Sequence, residues 1–388
     1  MPSAPPIDLV VLSSVHWHFT WQRHHELSTR LAERGYRVTY FEPIPKRWPA
    51  VGELGRVWGR LRGRHEAAGL LRQRISPGVT LRGATAVPDT GRLTRWLNRR
   101  FFIPRAADRL AAELGRPLVV LNYLPLAASI DLQQRLRPDL VIYDCVWDWP
   151  HDPYSRPGVV REEELVATAD LVFADSPYLL ERMQQQHGRV ECVLPAVDYE
   201  LYAPARAGAG SRTRSDAEPP SGRARCAYFG AVGANIDLEL LARLSREFEL
   251  RIIGPVQENL ELLAAGTEIV GPVPQRELPA LLADVDVLVL PYREAAHSAG
   301  VIPAKTFECL ATGKPTVAKG LPSLEQFGEQ FYLRADADSF VAAVDEALTE
   351  PAAARQARLE LAERNSWQLR GAEVDALIRH GLEAKVQA

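Results

Sequence analysis

Short apolar runs alternate with longer segments of helical periodicity along most of the chain. The first unit comprises an apolar run at residues 7–12, an amphipathic segment at 21–34 that Gly35 ends, and a second apolar run at 37–41. Further apolar runs lie near residues 117–121, 139–143, 171–174 and 190–194. Apolar strands rich in β-branched residues, with helices between them, are typical of a parallel sheet covered on both faces. The pattern therefore predicts a doubly wound α/β domain.

A stretch without large apolar side chains then interrupts the alternation. Residues 203–224 contain no Val, Ile, Leu, Met or aromatic residue, and fifteen of these 22 residues are Ala, Pro, Gly or Ser. Such a segment has little apolar surface to bury, so we predict a flexible linker or loop.

The same alternation of strands and helices resumes after residue 224. Strands are predicted at 226–229, 250–253, 268–270, 287–291, 316–318 and 332–333, and helices at 238–248, 258–264, 276–283, 303–311, 339–348, 355–364 and 368–383. We therefore predict an N-terminal domain at 1–202, the linker at 203–224, a second domain at 225–365 and a final helix at 366–388. In open parallel sheets ligands bind beyond the carboxyl ends of the strands, so we expect two Rossmann-like domains that face a common cleft.

Composition and charge narrow the class of protein. The 388 residues are 46% hydrophobic and 24% charged, which excludes global disorder, and a net charge of −3 argues against a nucleic-acid binder. The four cysteines form no C-x-x-C pair, so we predict buried reduced thiols in a cytosolic protein. The N-terminus lacks the pattern of a signal peptide, and no run approaches the ~18 apolar residues of a membrane span. The expected location is the cytoplasm, with a possible peripheral position on the inner face of the membrane.

The most informative chemistry lies between residues 284 and 317. A predicted strand ends at Pro291, a polar loop follows, and a helix is predicted to begin at Pro303. The free N–H groups at a helix N-terminus bind phosphate. A cation at Lys305 can neutralise a diphosphate, and the Glu308 carboxylate, one turn later, can accept two ribose hydroxyls. The alternative is an ordinary helix start with surface charges.

This segment carries the residues of a known signature, P-x-K-x-x-E-x-L-A-x-G-K-P-x-V. The matching residues are Pro303, Lys305, Glu308, Leu310, Ala311, Gly313, Lys314, Pro315 and Val317. The signature resembles the donor site of retaining GT-B glycosyltransferases, in particular the family 4-type bacterial branch that makes teichuronic acid and exopolysaccharides. The segments YDCVWDW at 143–149, ADLVFADSPYLLERM at 169–183, VLPAVD at 193–198 and YFGAVG at 228–233 are similar to the same branch. The terminal SWQLRGAEVDALI resembles the family's last helix, which crosses back onto the first domain.

The resemblance implies a set of donor-binding residues in the second domain. Glu308 matches the second glutamate of the family's E-x7-E pair, whereas Gly300 stands where the first would fall. Lys305 matches a lysine that is expected on the diphosphate. The remaining donor-binding residues implied are Gly230 and Gly233 in the glycine turn, Gly271 and Val273 beside the nucleobase, and Ala299, Gly300 and Val301, whose backbone amides would contact sugar and phosphate.

Acceptor-binding residues are expected in the first domain. His16 and His18 follow the first strand at its carboxyl end, and His24 and His25 are predicted on the first helix. Asp144, Asp148 and Trp149 follow another strand at the same edge. Carboxylates and aromatic faces suit sugar hydroxyls and C–H groups, although tryptophan and histidine are also ordinary core residues. We predict His16, His18, Asp144, Asp148 and Trp149 as acceptor-binding, and His16, Lys305 and Glu308 as catalytic.

The resemblance implies transfer of a hexosyl group from a nucleotide-sugar to a cell-envelope saccharide or a lipid-linked acceptor, with retention and without metal or cofactor. The D-x-D pattern at Asp284 and Asp286 is interpreted as a helix cap and a strand start, and no metal site is predicted. A nucleotide-sugar 2-epimerase on the same fold is one alternative. A non-catalytic nucleotide-sugar-binding protein is the other, because Gly300 replaces the family's glutamate.

A basic stretch at residues 46–109 suggests a further partner. It holds fifteen Lys or Arg residues against four Asp or Glu, a net charge of 15 − 4 = +11. One interpretation is a solvated arginine-rich face, since the chain has 41 Arg and only five Lys. The other is an interfacial segment that meets an anionic membrane surface, because Trp and Leu residues are interleaved with the arginines.

Overall fold

The computed structural model describes residues 6–18, 21–45, 75–83, 86–151, 159–208, 222–294, 300 and 302–387. It divides the chain into two compact units. Unit 1 comprises Met1–Leu194 together with Arg370–Ala388, and unit 2 comprises Pro195–Leu369. Each unit contains one sheet of parallel strands, as the hydrophobic pattern predicts.

Unit 1 is built on a seven-stranded parallel sheet in the order β3-β2-β1-β4-β5-β6-β7. Its strands are β1 Asp8–Leu12, β2 Arg37–Phe41, β3 Val79–Arg82, β4 Leu118–Asn122, β5 Leu140–Cys145, β6 Leu171–Ala174 and β7 Val190–Cys192. All residues of β1, β4, β5 and β6 are buried, which explains why these strands are apolar throughout and not alternating. Strand β3 was not predicted from the sequence.

Helices flank this sheet. They are Arg23–Glu33, Arg92–Leu97, Ile103–Ala111, Ala127–Leu136, Glu162–Thr168 and Pro177–Gln184, with a π-helical turn at Asn98–Phe102 and a 3-10 turn at Trp149–His151. The last part of the helix Trp367–Gln387 also belongs to unit 1. On that helix Asp375 accepts a hydrogen bond of 2.6 Å from the Tyr36 hydroxyl, and Lys385 lies 2.6 Å from Asp170.

Unit 2 contains a six-stranded parallel sheet in the order β10-β9-β8-β11-β12-β13. Its strands are β8 Arg225–Phe229, β9 Glu249–Ile253, β10 Glu268–Gly271, β11 Val287–Pro291, β12 Thr316–Lys319 and β13 Tyr332–Leu333. Side chains of β11 alternate between two cores, because Val287 and Val289 pack on one face while Leu288 and Leu290 pack on the other. A central strand buried on both faces is the reason for its unbroken apolar sequence.

The helices of unit 2 are mostly short. They are Ala203–Gly208, Leu238–Glu247, Leu278–Leu281, Thr306–Thr312, Ala337–Ala347, Ala352–Arg364 and the start of Trp367–Gln387, with 3-10 turns at Glu200–Tyr202, Gln275–Glu277 and Pro322–Gln330. Asp237 caps the helix Leu238–Glu247, since its carboxylate accepts a 3.1 Å hydrogen bond from the Leu240 N–H. Gly313 ends the helix Thr306–Thr312 in a left-handed conformation.

Residues 203–208 correct the predicted linker. They form a helix, and Ala205 is fully buried in the core of unit 2. The small side chain allows close packing, and the Arg206 guanidinium lies 4.0 Å from the ring centre of Tyr199. The linker prediction overlooked that alanine favours helices and can be buried without a large side chain. Residues 209–221 of the predicted linker lie outside the described residues.

Two predicted helix positions are also wrong. Residues 258–264 form turns instead of a helix, because the Asn259 side chain accepts a 2.9 Å hydrogen bond from the Glu261 N–H and so competes with helical bonding. The helix predicted to begin at Pro303 begins at Thr306, after a turn closed by a hydrogen bond from the Thr306 N–H to the Pro303 carbonyl. Lys305 therefore occupies the N-cap position of this helix, without a capping hydrogen bond from its side chain.

The remaining structural observations concern the cysteines and the lengths of the helices. All four cysteines are free thiols, and Cys145, Cys226 and Cys309 are buried whereas Cys192 is half-buried. Among the residues that the structure describes, no helix combines the length and the hydropathy that crossing a bilayer requires.

Candidate active site

Three glycines lie side by side at the carboxyl edge of the unit 2 sheet. Gly230, Gly254 and Gly271 stand at the ends of the neighbouring strands β8, β9 and β10, with φ angles of 122°, 139° and 74°. The Gly230 N–H donates to the Ile253 carbonyl, and the Gly254 N–H donates to the Gly271 carbonyl, both at 2.8 Å. A side chain at Gly254 would overlap the Gly230 carbonyl. This edge therefore consists of main chain without side chains, which a ligand can approach closely.

The Lys305 ammonium group lies directly against this glycine edge. It donates hydrogen bonds to the Phe229 carbonyl at 2.7 Å and to the Tyr228 hydroxyl at 3.2 Å, and it lies 4.4 Å from the centre of the Tyr228 ring. A Cβ on Gly230 would overlap the Lys305 Nζ atom. Burial by itself would lower the pKa of Lys305, but the phenol groups of Tyr292 and Tyr228 raise it above its ordinary value. The lysine is therefore a fixed positive charge.

Glu308 lies one turn further along the same short helix. Its Oε1 atom accepts a 3.1 Å hydrogen bond from the Gln275 side chain, which follows β10. Burial raises the pKa of Glu308 above its ordinary value, while the hydrogen bond from Gln275 acts in the opposite direction. Glu308 and Lys305 are both half-buried, so neither is closed off in the interior of unit 2. The helix thus presents a cation and a carboxylate beside the glycine edge.

The other predicted donor-binding residues have different surroundings. Gly233 lies in the turn after β8, where a Cβ would come within 3.2 Å of the Gln257 side chain. Val273 is half-buried and packs against the core of unit 2. Gly300 is buried, and Ala299 and Val301 lie outside the described residues. The assignments of these residues to donor contacts stay predictions.

The two aspartates of the D-x-D pattern form ion pairs and a hydrogen bond to the main chain. The Asp284 carboxylate pairs with Arg225 and, at 2.7 Å, with Arg251. Asp286 accepts a 2.8 Å hydrogen bond from the Arg225 N–H. Within the described parts of the chain, no group of three or more His, Cys, Asp or Glu side chains is arranged to hold a metal ion. The metal-free reaction stays a prediction.

In unit 1, Asp144 forms a buried ion pair with Arg23. The two hydrogen bonds, of 2.9 and 3.0 Å, join both carboxylate oxygens to the guanidinium, which also donates to the Val193 carbonyl at 2.7 Å. The side chains of Arg23 and Asp144 are 8% and 0% exposed. Nearby, burial raises the pKa of Asp175 to about 7, with the Arg23 charge acting against it. Asp144 was predicted to bind the acceptor, but in this structure it has no exposed surface.

Asp148 and Trp149 are also largely buried. The Asp148 carboxylate, 1% exposed, accepts a 3.2 Å hydrogen bond from the Tyr178 hydroxyl and lies 2.8 Å from the His151 ring nitrogen Nδ1. Arg182 lies 3.5 Å from its other oxygen. The indole of Trp149 is 6% exposed. Both residues have little exposed surface, so the structure does not support their predicted role in acceptor binding.

His16 is the exposed member of the predicted acceptor residues. Its Nδ1 atom contacts the Glu42 carboxylate, and its side chain is 46% exposed. His18 lies two residues further and is half-buried. His24 and His25 lie on the first helix, as predicted, and burial lowers the pKa of His25 to about 4, so its ring is neutral at pH 7. Of the two histidines predicted to bind the acceptor, His16 is therefore the more exposed.

The sequence did not predict the residues that contact the candidate site residues within each unit. Tyr228 and Tyr292 surround the Lys305 ammonium, Gln275 positions Glu308, and Arg23 neutralises Asp144. Two weak signals were available: Tyr228 precedes the glycine turn by two residues, and Gln275 follows the predicted nucleobase segment. Nothing in the sequence around Arg23 indicates its partner, which lies 121 residues away.

Comparison with known proteins shows a similarity to glycosyltransferases. Residues 231–350, which include the glycine edge from Gly254 onward as well as Lys305 and Glu308, match the family model described as "Glycosyl transferases group 1". This part of the chain is therefore similar to glycosyltransferases of group 1. A curated relative from Bacillus subtilis (strain 168), named "Putative teichuronic acid biosynthesis glycosyltransferase TuaH", is 27% identical over 239 residues. That match covers 54% of this chain and 59% of the relative, so a substantial part of the relative lies outside it.

Solved structures similar to this chain show the fold. A glycosyltransferase from Rickettsia africae ESF-5 is 11% identical with a TM-score of 0.63, and the match covers 98% of this chain and 99% of the other. The Anabaena protein HepE, solved in complex with UDP and glucose, is 13% identical with a TM-score of 0.61, covering 96% and 99%. A UDP-forming α,α-trehalose-phosphate synthase from Burkholderia vietnamiensis is 14% identical with a TM-score of 0.60, covering 99% of both chains. The predicted GT-B fold, with two Rossmann-like domains, is confirmed.

Proposed function

We propose that the protein transfers a hexosyl group from a nucleotide diphosphate-sugar to a saccharide or lipid-linked acceptor of the cell envelope. The observation that carries the proposal is that Lys305 and Glu308 both lie beside the glycine edge, within the segment that matches the glycosyltransferase model. The relative named for teichuronic acid biosynthesis supports an envelope saccharide as acceptor, and the HepE complex with UDP and glucose supports a nucleotide-sugar donor. A cytoplasmic location and a reaction with retention, without metal or cofactor, belong to the same proposal.

The chemistry follows from the charges of the two side chains. As the bond between the sugar and the diphosphate breaks, negative charge grows on the departing phosphate oxygens. A fixed ammonium group at Lys305, with raised pKa, stabilises that charge more strongly than it stabilises the bound donor. The Glu308 carboxylate accepts hydrogen bonds from the ribose hydroxyls and so holds the nucleotide. The departing phosphate can take the proton of the acceptor hydroxyl.

Replacing Glu308 with glutamine tests the nucleotide site. A charge-assisted hydrogen bond contributes roughly 1.5–3 kcal/mol, so we expect Glu308→Gln to weaken nucleotide binding about 10- to 150-fold. Calorimetric titration with UDP, GDP, ADP and TDP gives the affinities and identifies the base. Glu346→Gln is the matched control, because Glu346 is an exposed glutamate of unit 2 that pairs with Arg334. If Glu308→Gln binds nucleotides as tightly as the unsubstituted protein, Glu308 does not bind the ribose hydroxyls.

Detection of the transfer itself decides between the proposal and its alternatives. Incubation of the full chain with the tightest-binding nucleotide-sugar and a panel of envelope saccharides and lipid-linked saccharides should yield glycosylated product. Release of an epimerised sugar nucleotide without product would support the 2-epimerase, and tight binding without any turnover would support the non-catalytic protein.

Substitution of Gly230 tests the contact between the glycine edge and the lysine. An alanine there has an unfavourable φ angle, which costs on the order of 1–3 kcal/mol, and its Cβ overlaps Lys305 Nζ. We expect Gly230→Ala to lose stability and to lose turnover as well. Gly35→Ala is the control, since Gly35 has a φ angle of 90° but no atom within 4 Å of an added Cβ. Urea unfolding and initial rates measure the two effects; equal turnover in both variants would contradict the contact.

A further inference from the structure

An exposed face of unit 1 combines large apolar side chains with arginines. It lies on the helix Arg92–Leu97 and the π-helical turn Asn98–Phe102 and continues onto the helix Ile103–Ala111. Leu93 is 69% exposed and Trp96 is 55% exposed, although both are large hydrophobic residues. We call this surface the Trp96 face; its members are Leu93, Trp96, Phe101, Arg92, Arg100 and Arg105.

The geometry of the Trp96 face brings its apolar and basic groups together. Leu93 and Trp96 are three residues apart and Arg100 is four residues further, a spacing that places them on one side of a helix. The rings of Trp96 and Phe101 meet edge to face at 5.4 Å, and the Arg100 guanidinium lies 5.5 Å from the Phe101 ring centre. The apolar rings and the cations therefore form one patch.

The buried side chain of Asn98 fixes the π-helical turn that connects the two helices. Its amide nitrogen donates to the Val87 carbonyl at 2.8 Å, and its oxygen accepts from the Val87 N–H at 3.1 Å. On the following helix, Ile103, Ala107 and Leu110 point into the core of unit 1. The segment is thus anchored to unit 1 through its buried side chains, while its apolar residues on the opposite side stay exposed.

The charge of this segment is strongly positive. Residues 92–109 contain six arginines and one aspartate, a net charge of 6 − 1 = +5. Arg95 pairs with Asp89 at 3.8 Å. Arg92, Arg100, Arg105 and Arg109 are exposed and take part in no ion pair among the described residues. The part of the predicted basic stretch at residues 46–74 lies outside the described residues.

We propose that the Trp96 face docks on an anionic lipid bilayer. Tryptophan is favoured at the headgroup level, because its ring is apolar while its N–H can stay hydrated there. Leucine reaches the boundary of the acyl chains. The arginines then meet lipid phosphates, which complement their charge. The phosphate backbone of a nucleic acid would engage the arginines but would leave Leu93 without an apolar partner. Docking would place an envelope glycosyltransferase next to lipid-linked acceptors, yet the binding itself does not depend on the proposed reaction.

Vesicle flotation with the full chain tests the proposal. We expect at least tenfold more protein on vesicles of equimolar phosphatidylcholine and phosphatidylglycerol than on phosphatidylcholine alone, and a marked loss of binding in high salt. The variants Leu93→Ser/Trp96→Ser and Arg92→Gln/Arg100→Gln should each lower binding tenfold or more. Leu262→Ser and Arg276→Gln serve as controls, because these residues are 56% and 80% exposed on unit 2.

Several outcomes would overturn the proposal. The first two are a protein that does not bind vesicles and a protein that binds neutral and anionic vesicles equally. The third is a set of Trp96-face variants that bind vesicles as well as the unsubstituted protein does. The fourth is an RNA duplex that displaces the protein completely from vesicles and whose own binding depends on Trp96 and Leu93. Circular dichroism shows whether the variants are folded, and titration with soluble nucleotide is the second readout. Variants that lose vesicle binding and keep nucleotide affinity support the docking surface even if no transfer activity is found.

Discussion

Replacing Lys305 with methionine should lower turnover about 10²- to 10³-fold, the usual effect of removing one donor that stabilises transition-state charge. The ammonium group is held against the glycine edge by the Phe229 carbonyl and the Tyr228 hydroxyl, so its position is fixed before the reaction begins. Because the charge on the departing diphosphate is greatest in the transition state, kcat should fall more than KM rises. Initial-rate kinetics over a range of donor concentrations measure both constants.

Lys314 at the other end of the same helix provides a matched control. Its ammonium group also donates to main-chain carbonyls, at 3.1 Å to Ala283 and 2.6 Å to Val285, but on the side away from the glycine edge. Lys314→Met should lose stability with little effect on kcat in the fraction that remains folded. If Lys305→Met and Lys314→Met lower kcat equally, or if Lys305→Met changes KM alone, then Lys305 has no catalytic role.

Asp144→Ala should destabilise the protein by about 3–5 kcal/mol, because it leaves the Arg23 guanidinium buried without its carboxylate. The pair is 8% and 0% exposed, and two hydrogen bonds join it, so water cannot replace the lost partner. Urea denaturation at neutral pH measures the change in the free energy of unfolding. Destabilisation of this size would favour a structural role for Asp144 over the predicted acceptor role.

An exposed ion pair of the same unit gives the comparison. Arg82 and Glu113 lie 2.7 Å apart with side chains 42% and 54% exposed, and such pairs contribute at most about 1 kcal/mol. Glu113→Ala should therefore have a small effect. A loss below 1 kcal/mol in Asp144→Ala would show that Arg23 finds another partner or reaches water, and Asp144 would again be available for the acceptor.

Local sequence patterns indicated the parts of the candidate site that depend on neighbouring residues. The apolar run that ends at Phe229 predicted a strand, and the glycine turn after it, which the family resemblance implied, has a positive φ angle at Gly230. The spacing of Lys305 and Glu308 by one helical turn placed both on one helix, although that helix begins later than predicted. These features follow from side-chain periodicity and from backbone preferences that a few adjacent residues fix.

Contacts between distant residues were decided by the tertiary structure alone. Asp144 was predicted to follow a strand, as a sugar-binding carboxylate would, but it lies within the buried strand β5, where Arg23 neutralises it from a position 121 residues earlier. Gln275 reaches Glu308 across 33 residues in the same way. The short helix Ala203–Gly208 exists because Ala205 finds a buried place in unit 2. The sequence by itself determined the order of strands and helices, since each depends on local periodicity, whereas the packing of distant elements determined which charged groups are paired and buried and which stay exposed.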